Sequence, residues 1–430
     1  MSPTPAATLR QHAETTFRAL RHRNYRLYWG GQLISLIGTW MQTVAQAWLI
    51  HRLTSSPFML GLLGFMQFLP VLLLSLWAGV IVDAMNKRKL LLITQTAFLV
   101  QATLLATVVS THVVTAWMVL ALAFVFGTIN ALDLPARQSF VVELAGKDDL
   151  PNAIALNSAA FNTARILGPA VAGILLATIG EAGCFWLNAV SYIAVITSIL
   201  RMDLPARPAL KLDMSEATRH MKEGIRYVRS VLPLRNLLTL LGLTAGLGFQ
   251  YMILLPVYVK DILNADAKAY GALVSAFGLG SLISAAWMTR PHDRWALRRN
   301  VFIGLITASI GMGTFAWSRT LPLSLAMGFL AGLGLILYVA TTNTLIQLTT
   351  DDEHRGRVMG LYTLMFVGTA PIGSLITGSV AQKFGAPVAT SISALVLFGG
   401  AAWMFRRLRV LALRETASTT MAPGATEKLG

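Results

Sequence analysis

Apolar runs of roughly 20 residues recur along the sequence, parted by short polar breaks. A run of that length crosses the ~30 Å hydrocarbon core of a bilayer as one helix. Barrel strands would instead give ~10-residue segments of alternating character, and the runs are unbroken. Only 13% of the 430 residues are charged, against ~25% in soluble domains. A soluble fold of this size could not cover its surface with so few polar side chains. A soluble enzyme, a disordered chain and a disulfide scaffold are thereby excluded.

Twelve helices are predicted, over 27–50, 58–82, 90–110, 114–134, 152–178 and 182–200, then 235–258, 269–289, 300–318, 321–349, 356–380 and 386–405. The fold class is an all-α membrane protein with two six-helix bundles. Residues 1–26 and 406–430 read as cytoplasmic tails. The break at 201–234 reads as a cytoplasmic linker, with apolar spacing from Met214 to Val231 that suits a surface helix.

The net charge is +16. Of the 35 Lys and Arg, 29 fall in the tails and alternate loops; Arg52, Lys260, Lys268, Arg319 and Lys383 lie in the other loops and Arg165 inside a run. That bias sets orientation at insertion. It places both termini in the cytoplasm of a cell-membrane protein and favours contact with anionic lipid over nucleic acid. The single cysteine, Cys184, permits no intramolecular disulfide. The seven His all fall in predicted loops or tails, so no histidine relay inside the membrane is expected. No metal cluster, phosphate-binding glycine loop or catalytic triad is expected either; no cofactor is implied, and ATP is not the drive.

The halves echo one another. Gly168-Pro169 in the fifth run is matched by Ala370-Pro371 in the eleventh, each followed by small residues. Paired sextets imply a cavity near the midplane, between the bundles. The loop Gly79-Val-Ile-Val-Asp83-Ala-Met-Asn86-Lys87-Arg88 resembles the inner-loop motif of the major facilitator superfamily, with Ala84 and Asn86 as departures. Arg165-Ile-Leu-Gly168-Pro169-Ala-Val-Ala-Gly173 resembles the proline motif of its exporters. Asp133-Leu-Pro135-Ala-Arg137-Gln138, Asp149-Leu-Pro151-Asn152, Asn24-Tyr25-Arg26 and Gly356-Arg357 are similar to the transmembrane secretion effector branch. The resemblance covers most of residues 20–405. It implies export of an amphipathic small molecule such as a siderophore or drug, a proton gradient as the drive, a monomer, and runs one, four, seven and ten lining the cavity.

Polar residues at three- or four-residue spacing share a helix face. Such stripes hold Ser35, Thr39, Gln42 and Gln46; Asn130, Asp133 and Arg137; Ser158, Asn162 and Arg165; and Asn343 and Gln347. Each must face water or another helix, because an unsatisfied amide in lipid costs several kcal/mol. Thr39, Gln42, Gln46, Asn130, Asn162, Arg165, Gln250, Tyr338 and Asn343 are the candidate cavity residues. Trp40 and Tyr338 offer rings for stacking. Helix-to-helix bonding is the competing account of each. Arg165 either attracts an anionic substrate or pairs structurally with Asp133. Asp133 either exchanges protons or latches to Arg137 or Arg165. Asp83, Arg88, Arg355 and Arg357 are candidates for a gate in which the two inner loops meet. An importer and a membrane sensor without flux are the alternative functions.

Overall fold

The structure, a computed structural model, describes residues 18–203, 214–288, 290 and 292–420; the outer parts of the tails and the start of the linker lie outside the described residues. Twelve helices in it are long and apolar enough to span a membrane. We label them α1 (Arg23–Thr54), α2 (Pro57–Ala84), α3 (Lys87–Ser110), α4 (Ala116–Gly146), α5 (Asp148–Thr178) and α6 (Gly180–Leu200), then, after the linker helix α7 (Met214–Ser230), α8 (Leu232–Ile262), α9 (Ala267–Trp287), α10 (Arg294–Trp317), α11 (Leu321–Thr349), α12 (Arg355–Phe384) and α13 (Ala386–Arg407).

Each predicted run is found, most with ends moved by a few residues, while α4 runs on from the predicted end at 134 to Gly146. Helix α1 begins at Arg23 and runs to Thr54, and α6 starts at Gly180, where a short loop was expected. Gly180 has φ +70, a left-handed turn suited to glycine that reverses the chain without a longer loop. The starts of the helices follow capping chemistry. Ser56, Asn86, Thr115, Asp266 and Asp293 each accept a bond from the backbone N–H three residues on. Helices α4 and α5 are split at Gly146 (φ 69), which gives the sharp turn between them.

The first six helices and the last six form two bundles. Leu73, Ile93, Val100, Leu104, Ile174, Val190 and Leu395 are exposed around the perimeter. In water such a band would be costly; it is the surface that acyl chains cover. Exposed Trp117, Trp186 and Trp317 mark one end of the bundles and Trp287 and Trp295 the other, as at membrane interfaces. We call these the short-loop end and the linker end.

Helix α8 departs from the plain helix predicted over 235–258. After Leu243 it passes through a π turn (Thr244–Gly248), a 3₁₀ turn (Gln250–Leu254) and a second π turn (Tyr258–Ile262). Such breaks at membrane depth persist only where protein or water meets the freed backbone groups. Gln250 does so here: its Nε2 donates to Ala245 O at 3.1 Å, and its Oε1 accepts from Ser374 Oγ at 2.8 Å.

Candidate functional site

At the short-loop end the bundles touch. A Cβ built on Gly61 of α2 would meet Gly378 Cα of α12 at 2.8 Å, and one on Gly173 of α5 would meet Gly271 Cα of α9 at 2.9 Å. Only glycine permits such approach, and it brings α2 against α12 and α5 against α9 on opposite flanks. These are the small residues that follow the two proline motifs. Around them Trp48 stacks on Tyr270 with ring centroids 5.6 Å apart, and Ser56 Oγ donates to Gln382 Oε1 at 2.8 Å.

One further cross-bundle contact was not expected from sequence. His51 is not in a loop: it lies on α1, 1% exposed, with Nε2 3.1 Å from Asp261 Oδ1 of α8. Among the described residues it is the sole ion-pair contact between the bundles. The expectation that every His sits in a loop or tail is corrected; the helix continues past His51 because a left-handed Ser55 ends it four residues later.

Toward the linker end the bundles part. A cavity of about 360 Å³ lies between α2 and α4 on one side and α12 and α7 on the other. Its lining includes Ser75, Asn130, Gln138, Met221, Arg357 and Thr363. Its size is in the range that holds a small organic molecule.

Of the predicted cavity residues, Asn130 lines this space. Thr39 is half-buried and bonds the Tyr192 hydroxyl at 3.1 Å. Asn162 Nδ2 donates to Ser158 O, and Asn343 Oδ1 accepts from Gln347 Nε2 at 2.6 Å. Others turn inward and correct the expectation. Gln42 is buried between Gln101 and Asn188, at 3.2 and 2.7 Å, and Gln46 donates to Val119 O. Tyr338 is fully buried and bonds Thr244 at 2.9 Å, so it offers no ring to a ligand. Trp40 is half-buried and lies edge-on to Phe161, with ring centroids 5.9 Å apart. In each case the polar group finds a neighbouring helix, which removes the cost of leaving it unpaired.

Asp133 is fully buried, with Oδ1 accepting from Thr94 Oγ1 at 2.7 Å and Gln95 Nε2 at 2.8 Å, and Oδ2 2.6 Å from Arg137 Nε. Asp133 is thus committed to Arg137, one helical turn on. Arg165 does not pair with it. Arg165 Nε and Nη2 are sealed from solvent with no hydrogen-bond partner among the described residues.

Among the described residues no hydrogen bond or ion pair joins the two loops of the expected inner gate. Arg355 pairs with Asp352 in its own turn at 2.6 Å, and Arg357 with Glu223 of the linker helix at 3.2 Å. Arg88 donates to Leu200 O, and Lys87 pairs with Glu143 at 2.8 Å. The Asp83 side chain lies outside the described residues. The linker helix is fastened under α12: Tyr227 stacks on His354 and donates to Asp351 Oδ2 at 2.9 Å. Desolvation, and then the Asp351 carboxylate, raise the Tyr227 phenol above its ordinary range, so it remains a donor at neutral pH.

A family model described as transmembrane secretion effector matches residues 14–428. The multidrug efflux pump Tap of Mycolicibacterium fortuitum is 27% identical over 390 residues, 87% of this chain and 94% of that protein. The staphyloferrin A transporter of Staphylococcus aureus is 25% identical over 365 residues, 84% of this chain and 90% of that one. Macrolide efflux protein A of Streptococcus pyogenes is 25% identical, across 85% and 92%. Among solved structures, a bacterial homologue of the lysosomal transporter Spinster, inward-facing and unoccupied, aligns with TM-score 0.68 at 13% identity, covering 90% of this chain and 97% of that one. The nucleoside transporter NupG aligns with TM-score 0.69 at 12% identity, covering 89% and 98%.

Proposed function

The chain belongs to the transmembrane secretion effector family of major facilitator transporters, and from that membership we propose that it exports an amphipathic small molecule in exchange for protons. The observation that carries the reading is the asymmetry between the two ends: glycine-to-glycine contact and His51–Asp261 at one, a cavity at the other. Alternating access requires that asymmetry to reverse. With the basic linker end in the cytoplasm, as the charge bias favours, this is an inward-facing state ready to load. The relatives named for a siderophore, for drugs and for macrolides support export of an amphipathic cargo.

In this reading Asn130, Gln138 and Thr363 give polar contacts amid apolar walls at the loading cavity. Asp133 is the proton-exchanging carboxylate. Its protonation would remove the negative partner of Arg137 and leave that guanidinium unpaired at membrane depth, which is costly. The pair would therefore rearrange as the proton arrives, which links proton binding to movement of α4. Closure of the linker end would bring the start of α12, with Arg355 and Arg357, toward the loop holding Asp83 and Arg88. The expected cargo is a single molecule bound by one monomer among membrane lipids.

The test is flux in oriented vesicles. Inverted vesicles carrying the protein should accumulate an amphipathic dye or siderophore on imposing an acid interior, and Asp133→Asn should abolish the dependence on that gradient. Accumulation only in right-side-out vesicles would establish import instead.

A further inference from the structure

Arg165 is placed on α5 where the two bundles meet. Its carbonyl oxygen would lie 3.4 Å from a Cβ on Gly278 of α9, and the next residue, Ile166, accepts a bond from Ser275 Oγ at 3.1 Å. Phe277, adjacent to Gly278, stacks on Tyr251 of α8 with ring centroids 4.3 Å apart. Arg165 and Tyr251 thus converge on one turn of α9 from opposite bundles.

Three observations distinguish this place. The guanidinium is charged, within a span, and without a hydrogen-bond partner at two of its nitrogens, while Asp133, its expected partner, is taken by Arg137. A charge at membrane depth without a partner is costly and marks a site. Tyr251 lies in the 3₁₀ turn of α8, so its hydroxyl sits on the interrupted helix. Interrupted spans of transporters are where ligands are held. The Tyr251 ring is fixed by its stack on Phe277, itself packed edge-on to Phe315, which presets the hydroxyl's direction.

We propose that Arg165 and Tyr251 together form a subsite for an oxyanion of the cargo, a carboxylate held between the bundles. The guanidinium fork binds a carboxylate through paired N–H donors, and a phenol adds a third donor from the other side. A carboxylate seated there joins α5 to α8, so its binding favours the states in which those helices are close. The cargo class narrows from amphipathic to amphipathic and acidic. This rests on the export reading for the identity of the ligand as cargo.

The experiment uses the full chain in nanodiscs of neutral phosphatidylcholine, with naphthalene-2-acetate and its uncharged amide as probes, and equilibrium dialysis as the readout. Wild type should prefer the acid over the amide by about tenfold or more. Arg165→Gln should bind both alike, Arg165→Lys should recover part of the preference, and Tyr251→Phe should reduce it severalfold. Each variant must elute monodisperse and keep wild-type affinity for the amide, which separates a lost subsite from a lost fold. Equal binding of acid and amide by wild type, or a preference that survives Arg165→Gln, would overturn the proposal. So would a preference abolished by phosphatidylglycerol at membrane abundance, since the site would then hold a lipid headgroup. Arg165-dependent binding without flux of either probe leaves the subsite standing and counts against export alone.

Discussion

His51 and Asp261 meet across the bundle gap, and they alone among the described residues do so as an ion-pair contact. Asp261 is 47% exposed, so the contact contributes about 1 kcal/mol. His51→Ala should therefore shift the population toward opening at the short-loop end by roughly fivefold. Labelling of a cysteine at Asn264 by an impermeant maleimide measures this, in a Cys184→Ser background; unchanged labelling would show that the contact does not hold the closed end. Asp133 makes a stronger case. It is fully buried, accepts two hydrogen bonds and lies in ion-pair contact with Arg137, so Asp133→Asn keeps the size and removes the charge that Arg137 requires. Gradient-driven uptake should fall at least tenfold while gradient-independent exchange persists. Sequence showed these sites unequally. Arg165 and Asp133 stand out because a charge inside an apolar run is costly, and Arg137 by its four-residue spacing from Asp133. His51 was missed because its partner lies 210 residues away and no local pattern joins them. Tyr251 was missed because a tyrosine in an apolar run is indistinguishable from a packed core ring.

Gly61 with Gly378 and Gly173 with Gly271 put two pairs of helices in backbone contact at the short-loop end. Gly271→Val or Gly378→Val forces those backbones apart. Overpacking of this kind costs ~1–3 kcal/mol, which moves a two-state equilibrium by roughly five- to 150-fold toward an open short-loop end. The maleimide assay reads it, and Gly399→Val, where a Cβ meets nothing within 4 Å, is the neutral control. The linker helix is fastened to α12 by Tyr227–Asp351 and Arg357–Glu223. Tyr227→Phe removes one of these bonds and should reduce protection of α7 from hydrogen exchange about fivefold, without changing the spans. The twelve spans were legible because bilayer thickness dictates their length. The break in α8 was not: Gly246, Gly248 and Pro256 sit in a run whose hydropathy is that of an intact helix. What the break responds to, Gln250 reaching Ala245 and Ser374, is tertiary.

At the scale of the molecule, two bundles of six helices meet at one end and enclose a cavity toward the other. The repeat of the proline motifs foreshadowed this, since each is followed by the glycine that contacts the opposite bundle. Sequence did not indicate which stripes would be wet. Gln42, Gln46 and Tyr338 share spacing with cavity residues, but neighbouring helices satisfy them. Periodicity specifies a face, and only packing tells whether that face meets water or protein.

The proposed export requires the two ends to open in turn. Pulsed electron resonance on spin-label pairs tests it most directly, with one pair at His112 and Asn264 reporting the short-loop end and another at Lys89 and Arg290 the linker end. A shift from neutral to acidic pH in the presence of a transported cargo should lengthen one distance and shorten the other. Two distances that stay fixed during measured flux, or that lengthen together, would contradict alternating access in this protein.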